Sequence, residues 1–221
     1  MIEKENLIKY FQDGCKKEKQ LKIGVEHEKF LFENKLNKRI DFETVKKIFN
    51  FLKQFGWKNI KEKSNVIALY KEGKSITLEP GNQIELSGAP LKSIHQNCNE
   101  SYEFLDELKK ACKLFDLRMV AASFDPFSKL ENVPQTPKKR YEIMTNEMPK
   151  NGKLSLEMMY QTCGTQINLD YTSEEDFAKK FKLSTFLVPL SAAIFANSPI
   201  KEKKLSGYLS YRSKIWQSTS R

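Results

Sequence analysis

The 221 residues are 39% hydrophobic, enough to bury a substantial core, which excludes a natively disordered chain. A net charge of +10, carried mostly by lysine, favours anionic partners; no nucleic-acid module and no basic stripe interleaved with aromatics accompanies it, so nucleic acid is not an expected partner. The four cysteines show neither C-x-x-C pairing nor zinc-site spacing, which suits reduced thiols and a cytoplasmic setting. Residues 1–20 lack the continuous apolar core of an export signal, and Phe186–Ala196 is too short to span a bilayer, so neither export nor a membrane is expected.

Leu7, Ile8 and Phe11 stand at helical spacing before Gly14 and predict a short amphipathic helix packed on the sheet that follows. Ile23, Val25 and Phe30-Leu31-Phe32 then predict a strand, interrupted by Glu26 and Glu28. Asp41 is placed to cap a helix whose stripe is Val45, Ile48, Phe49 and Leu52, ending near Gly56. Residues 64–88 read as a hairpin turning at Lys71-Glu72-Gly73-Lys74, with Pro80-Gly81 breaking or bulging the second strand. From Leu91 to Phe115, the positions Ile94, Cys98, Tyr102, Leu105, Leu108, Cys112 and Phe115 predict one long amphipathic helix with both cysteines on its buried face.

A strand near Arg118–Ala122 leads into a loop holding Pro126, Pro134 and Pro137, irregular enough to line a site. A short helix from Lys138, a turn at Asn151-Gly152, a strand Thr165–Leu169 and a helix capped by Ser173 and ended by Pro199 complete the reading, with Phe186–Ala196 as a buried helical stretch. Hairpins and helices without regular βαβ alternation indicate an α+β fold with a largely antiparallel sheet.

Side chains two apart on a strand share a face, so Glu26 and Glu28 project together, and so do Gln83 and Glu85, with Glu79 nearby. One acidic pair is what any solvent-facing strand can carry. Two acidic strands in one domain instead point to a hard divalent cation held between carboxylates and anionic substrate oxygens.

The wording of these segments is specific. Gly24-Val25-Glu26-His27-Glu28-Lys29-Phe30 and Leu78-Glu79-Pro80-Gly81-Asn82-Gln83-Ile84-Glu85-Leu86-Ser87-Gly88-Ala89-Pro90 are followed by His95-Gln96 and Arg140-Tyr141-Glu142-Ile143-Met144. Met148-Pro149-Lys150, Thr162-Cys163 and Gln166-Ile167-Asn168-Leu169-Asp170 come next, then Phe195-Ala196-Asn197-Ser198-Pro199 and Arg212-Ser213-Lys214-Ile215-Trp216. In that order they resemble the glutamate-cysteine ligase family of plant and proteobacterial type over nearly the whole chain.

The resemblance implies ATP-dependent joining of the L-glutamate γ-carboxylate to the L-cysteine amine through γ-glutamyl phosphate, the first step of glutathione synthesis. It implies a glutamine-synthetase-like fold with a curved antiparallel sheet and flanking helices. Magnesium is then assigned to Glu26, Glu28, Glu79 and Glu85, with Gln83 as a ligand or as the group that orients them. Arg140 and Arg212 are assigned to a substrate carboxylate, because a planar guanidinium fork matches one better than lysine does. Gln166 and Asn168 are assigned to substrate hydrogen bonds. No side chain is given a catalytic proton transfer or nucleophilic role, and His27 and His95 are read as packing or hydrogen-bonding groups.

Complete family members are longer, so residues 1–221 are expected to form the amino-terminal, incomplete part of one catalytic domain, with apolar surface and open sheet edges exposed. A second chain supplying the rest is one way to complete it. Two other readings stay open: another carboxylate-amine ligase of the same superfamily, and an inactive fragment serving as a binding protein.

Overall fold

The computed structural model describes residues 3–219; the two residues at each end of the expected 1–221 domain lie outside the described residues. Helix α1 (Lys4–Asp13) precedes the long strand β1 (Ile23–Glu33). Helix α2 (Phe42–Leu52) begins where the Asp41 carboxylate accepts from the Thr44 backbone N–H at 2.8 Å, and Gly56 ends the following turn at φ 91°, a left-handed conformation open to glycine. Val45, Ile48, Phe49 and Leu52 are buried, as the spacing predicts.

A meander follows of β2 (Lys58–Glu62), β3 (Asn65–Lys71), β4 (Lys74–Leu78) and β5 (Ile84–Ser87), then α3 (Ile94–Leu114) and β6 (Leu117–Val120). After the proline loop come α4 (Lys139–Glu147), α5 (Ser155–Gln161), β7 (Thr165–Leu169) and α6 (Glu174–Ile194). The small hairpin of β8 (Ile200–Lys201) and β9 (Lys204–Leu205) leads to α7 (Tyr211–Trp216). The main sheet runs β2-β3-β4-β5-β1-β6, with β7 also on β1, and every pairing is antiparallel. It is an α+β fold whose sheet does not close. Because Glu26 pairs with both Ser87 and Gln166, β5 and β7 flank β1 on opposite sides.

One face of the sheet is covered. Leu31, Leu69, Ile76, Leu78, Ile84 and Leu86 pack there against the stripe of α2 and against Phe104, Leu108, Ala111 and Cys112 of α3. Burial of such side chains stabilises by about 1.5–3 kcal/mol each, so this layer dominates the fold.

Several elements depart from their sequence reading. The Pro80-Gly81 break is a complete chain reversal, since β4 and β5 pair with each other, Thr77 opposite Glu85 and Leu78 opposite Ile84. Helix α3 is rotated from the predicted stripe: Ile94, Cys98 and Tyr102 are exposed, and Asn97, Glu100 and Glu107 turn inward beside Phe104, Leu108, Ala111 and Cys112. Hydrogen-bond partners explain it. Glu100 accepts from the Ala89 N–H at 3.1 Å, and Glu107 accepts from the Trp57 indole N–H at 2.6 Å with Lys71 at 3.4 Å.

The apolar side chains of α1 do not pack on the sheet; Leu7, Ile8 and Phe11 are exposed. Nor is Phe186–Ala196 buried, for every residue from 181 to 195 is exposed and Phe186 reaches 80%. A helix that is apolar all round buries its surface only where another element covers it, and none does among the described residues. Strand β2, helices α5 and α7 and the β8/β9 hairpin were not anticipated.

Replacing Glu107 by Ala should strand the buried Trp57 N–H and lower stability by about 1–3 kcal/mol. Asp106→Ala, which removes only an exposed pair with Lys110, should stay within about 0.5 kcal/mol. Urea unfolding midpoints of the two variants give the comparison, and equal losses would show that the inward carboxylate contributes nothing.

Candidate active site

Alternation along β1 sends Leu31 into the helix-covered core and turns Glu26 and Glu28 to the opposite face, where Phe30 and Phe32 continue the row. Strand β5 divides in the same way, with Ile84 and Leu86 in the core and Glu85 and Ser87 on the other side. The register places Glu28 directly opposite Glu85. The reversal between β4 and β5 brings Glu79 into the same group, so that Glu79 and Glu85 both press like charge on Glu28.

Burial is the main cause that raises the Glu28 carboxyl from 4.5 to about 8, and repulsion by Glu79 and Glu85 adds to it. The Gly164 N–H, donating to Glu28 Oε2 at 3.0 Å, and the Arg212 guanidinium pull in the other direction. Glu79 is also held above the ordinary carboxylate range by burial and by Glu85, opposed by Lys138, Arg140 and the Tyr141 hydroxyl. Glu85 accepts on one oxygen from the hydroxyls of Thr77 at 2.8 Å and Ser87 at 2.5 Å.

The remaining expected residues fall in different places around this centre. Gln83 is fully engaged with backbone: its oxygen accepts from the Gly81 N–H at 2.8 Å, and its amide donates to Met159 O at 3.2 Å and Thr162 O at 2.9 Å. Glu26 lies further along β1, opposite Gln166; it accepts from Asn168 Nδ2 at 3.1 Å, and Gln166 donates to Asn168 at 3.0 Å. These two amides are exposed on β7. Arg140, on α4, is exposed, donates to the Tyr141 hydroxyl at 3.1 Å and stacks 4.9 Å over its ring.

Arg212 reaches the opposite side of the acid group. Its backbone N–H donates to Ser198 Oγ at 3.1 Å, its guanidinium lies 5.3 Å over the Trp216 ring, and its buried Nε has no hydrogen-bond partner. Gly164 makes room for this approach, since a Cβ there would stand 3.2 Å from Arg212 Nη2 and 3.8 Å from Glu28 Oε1. The two arginines thus bracket the acids, one beside Glu79 and one beside Glu28.

Sequence reasoning overlooked Lys138, whose ammonium donates to Leu78 O at 2.7 Å, and Tyr141, whose hydroxyl donates to the same carbonyl at 2.6 Å and lies 3.4 Å from Glu79. The only signal was their place beside Arg140. His27 lies on the other face of β1, with its pKa lowered by burial and by Lys29, and His95 is exposed on α3. Cys163 is buried against Phe30 and Phe32, and all four cysteines are free thiols.

Among the described residues no three His, Cys, Asp or Glu side chains close into a ready cage for a metal ion. The donors that do converge are all carboxylate oxygens, one of them pushed toward protonation by burial and then by its neighbours, and that set suits a hard divalent ion that retains water and substrate oxygens. A separate cavity of about 570 Å³, lined by Cys15, Lys16, Lys17, Leu21, Asp176 and Lys180, lies away from these acids. Two of its lysines are paired, Lys16 with Asp170 at 2.6 Å and Lys180 with Asp176 at 2.8 Å.

The face of the open antiparallel sheet turned away from α2 and α3 thus carries grouped carboxylates, with an arginine beside Glu79 and another beside Glu28. The sequence profile of glutamate-cysteine ligase family 2 matches residues 22–221, and the chain belongs to that family. Over 219 residues it is 46% identical to glutamate–cysteine ligase A, chloroplastic, of Oryza sativa subsp. japonica, covering 99% of this chain and 44% of that protein. Glutamate–cysteine ligase, chloroplastic, of Nicotiana tabacum is 43% identical, with 99% and 42% covered, and that of Arabidopsis thaliana is 41% identical, with 100% and 42% covered. The chain therefore spans less than half the length of these relatives. Their names specify the chloroplast, which does not match the cytoplasmic setting expected from the sequence. No helix among the described residues is long and apolar enough to cross a membrane.

The raised Glu28 carboxyl makes stability pH-dependent. Between about 4.5 and 8 the folded chain holds a proton that the unfolded chain has released, so stability falls as pH rises through that window and levels off above it. The loss should be on the order of a few kcal/mol. Urea unfolding at pH 5 and pH 8 should show it in the native sequence, and Glu28→Gln should flatten it; a slope unchanged in that variant would place its origin elsewhere.

Proposed function

We propose that the chain is the amino-terminal part, residues 1–221, of a single catalytic domain that joins the γ-carboxylate of L-glutamate to the amine of L-cysteine at the expense of ATP, the first step of glutathione synthesis. The observation that carries this reading is the convergence of Glu28, Glu79 and Glu85 between two arginines supplied by separate helices. Family membership supports it. A carboxylate that attacks the γ-phosphoryl group of ATP must approach against like charge, and a γ-glutamyl phosphate then presents an activated carbonyl to the amine.

Glu28, Glu79 and Glu85 would hold Mg²⁺, with Glu26 at the β7 edge of the same face. Bound there, magnesium supplies charge neutralisation for the phosphate oxygens and relieves the repulsion among the three carboxylates. Gln83, whose amide is committed to Gly81, Met159 and Thr162, holds the Glu79 turn rather than the metal. Arg212, whose buried Nε has no hydrogen-bond partner, offers its guanidinium to the substrate carboxylate, and Arg140 offers a second beside Glu79. Gln166 and Asn168 present amides from β7 beside Glu26. No side chain of this set serves as nucleophile, because the substrate carboxylate and amine supply both nucleophiles themselves.

The partner is part of the same proposal. Helix α6 exposes Phe181, Phe186, Val188 and Ile194, and β7 exposes Ile167 and Leu169. Exposed apolar side chains of this kind, on a chain whose sheet has a free edge, receive further polypeptide. Its occupant is the segment corresponding to the part of the relatives that this chain does not span, supplied by the same or a second chain. Free thiols suit a reducing compartment.

Two measurements test the proposal. Calorimetry with Mg²⁺, a nonhydrolysable ATP analogue and L-glutamate should give metal-dependent binding that Glu28→Gln and Glu85→Gln each weaken by at least about tenfold. Mixing the chain with the carboxy-terminal remainder of the rice relative should yield a complex that forms γ-glutamylcysteine, and Phe186→Asp with Val188→Asp should block its assembly. A folded native chain that neither binds these ligands nor pairs with that segment would overturn the assignment.

A further inference from the structure

The Glu79–Gln83 reversal carries one acid of the site and is held from behind, through its backbone, by groups outside the acid cluster. Arg39 is fully buried, with its guanidinium 4.4 Å over the Phe30 ring, on the same face of β1 as Glu28. It donates to the Gly81 carbonyl inside the reversal, to Asp125 Oδ2 at 3.2 Å and to Tyr160 O at 3.4 Å. Asp125 is fully buried too, and its other oxygen accepts from the N–H groups of Phe127 at 2.8 Å and Ser128 at 2.9 Å. The proline loop, the end of α5 and the reversal therefore meet on one guanidinium.

Thr136 grips the same reversal from the proline loop. Its hydroxyl lies 2.6 Å from Glu79 O and 2.8 Å from Asn82 Oδ1, and accepts from the Asn82 N–H at 3.1 Å. Its own N–H donates to Pro80 O at 2.8 Å. Asn82, at φ 58°, is fastened by its amide to Ile40 O at 3.1 Å, the carbonyl next to Arg39. Every residue from Glu79 to Gln83 is thus tied by backbone or side chain to another segment.

The arrangement has a purpose in charge. Glu79, Glu85 and Glu28 repel one another, and a β-turn left to itself would swing Glu79 outward into water. We propose that Arg39 and Thr136 are positioning residues that clamp the Glu79–Gln83 reversal and hold Glu79 against Glu28 and Glu85, so preorganising the divalent-cation site. The inference rests on the metal reading above and deepens it. Removing an outer partner of metal-binding carboxylates weakens metal affinity by about 10–100-fold.

Mn²⁺ is the probe, its free fraction read by electron paramagnetic resonance on the native chain and on Glu28→Gln, Arg39→Lys, Thr136→Val and Thr136→Ser. Arg39→Lys keeps the charge but loses the fork that spans Gly81, Asp125 and Tyr160. Thr136→Val keeps the shape but loses the hydroxyl, and Thr136→Ser restores it. Expected are binding at least about tenfold weaker in Arg39→Lys and Thr136→Val, near-native binding in Thr136→Ser, and unchanged circular dichroism. If Arg39→Lys fails to fold, the Thr136 pair decides. Native Mn²⁺ affinity in Thr136→Val overturns the clamp while Glu28→Gln still abolishes binding; a native chain that binds no Mn²⁺ overturns the metal reading and the clamp together.

Discussion

Glu28 faces Glu85 across two hydrogen-bonded strands, and Glu79 joins them from the adjoining turn. Like charges set opposite each other on a sheet oppose folding, and burial sharpens the conflict by removing the water that would screen it. Nearly everything distinctive about the molecule follows from this concentration of negative charge. One face of the sheet is sealed by two helices and supplies the stability, while the other is left to carry the acids, with guanidinium groups brought in from α4 and α7.

The supporting structure is correspondingly dense. Gln83 spends its whole amide on three backbone groups, Asn82 takes a left-handed backbone, and Arg39 with Asp125 forms a buried ion pair stacked on Phe30. A buried ion pair is poor evidence of net stabilisation, since desolvation offsets most of its attraction. Its place here is better explained by the geometry it enforces, a single position for the reversal on which Glu79 depends.

Apolar surface stays exposed elsewhere among the described residues. Strand β7 is fully exposed, α6 is exposed along its apolar half, and α1 leaves its stripe in water. The expectation of uncovered apolar surface thus holds, whereas the reading of α6 as a buried helix fails. The first rested on the greater length of complete family members, the second on the apolar run Phe186–Ala196. Hydrophobicity says that a surface seeks cover, not whether the cover lies within the segment at hand.

Much was legible from local pattern alone. Strand β1, the capped α2, strand β7, the start of α6 and the antiparallel character of the sheet follow from alternation, capping and turn chemistry, which act within a few residues. The acidic segments were visible for the same reason, as was the family they resemble. What local pattern could not decide was the phase of α3, where buried Glu100 and Glu107 found donors on Ala89 and Trp57 far away in the chain. It also could not show that Pro80-Gly81 reverses the chain, that Gln83 turns to backbone, or that Arg39 lies beneath the site. Those outcomes depend on which distant groups satisfy one another once the layers close, and only the tertiary structure decides that.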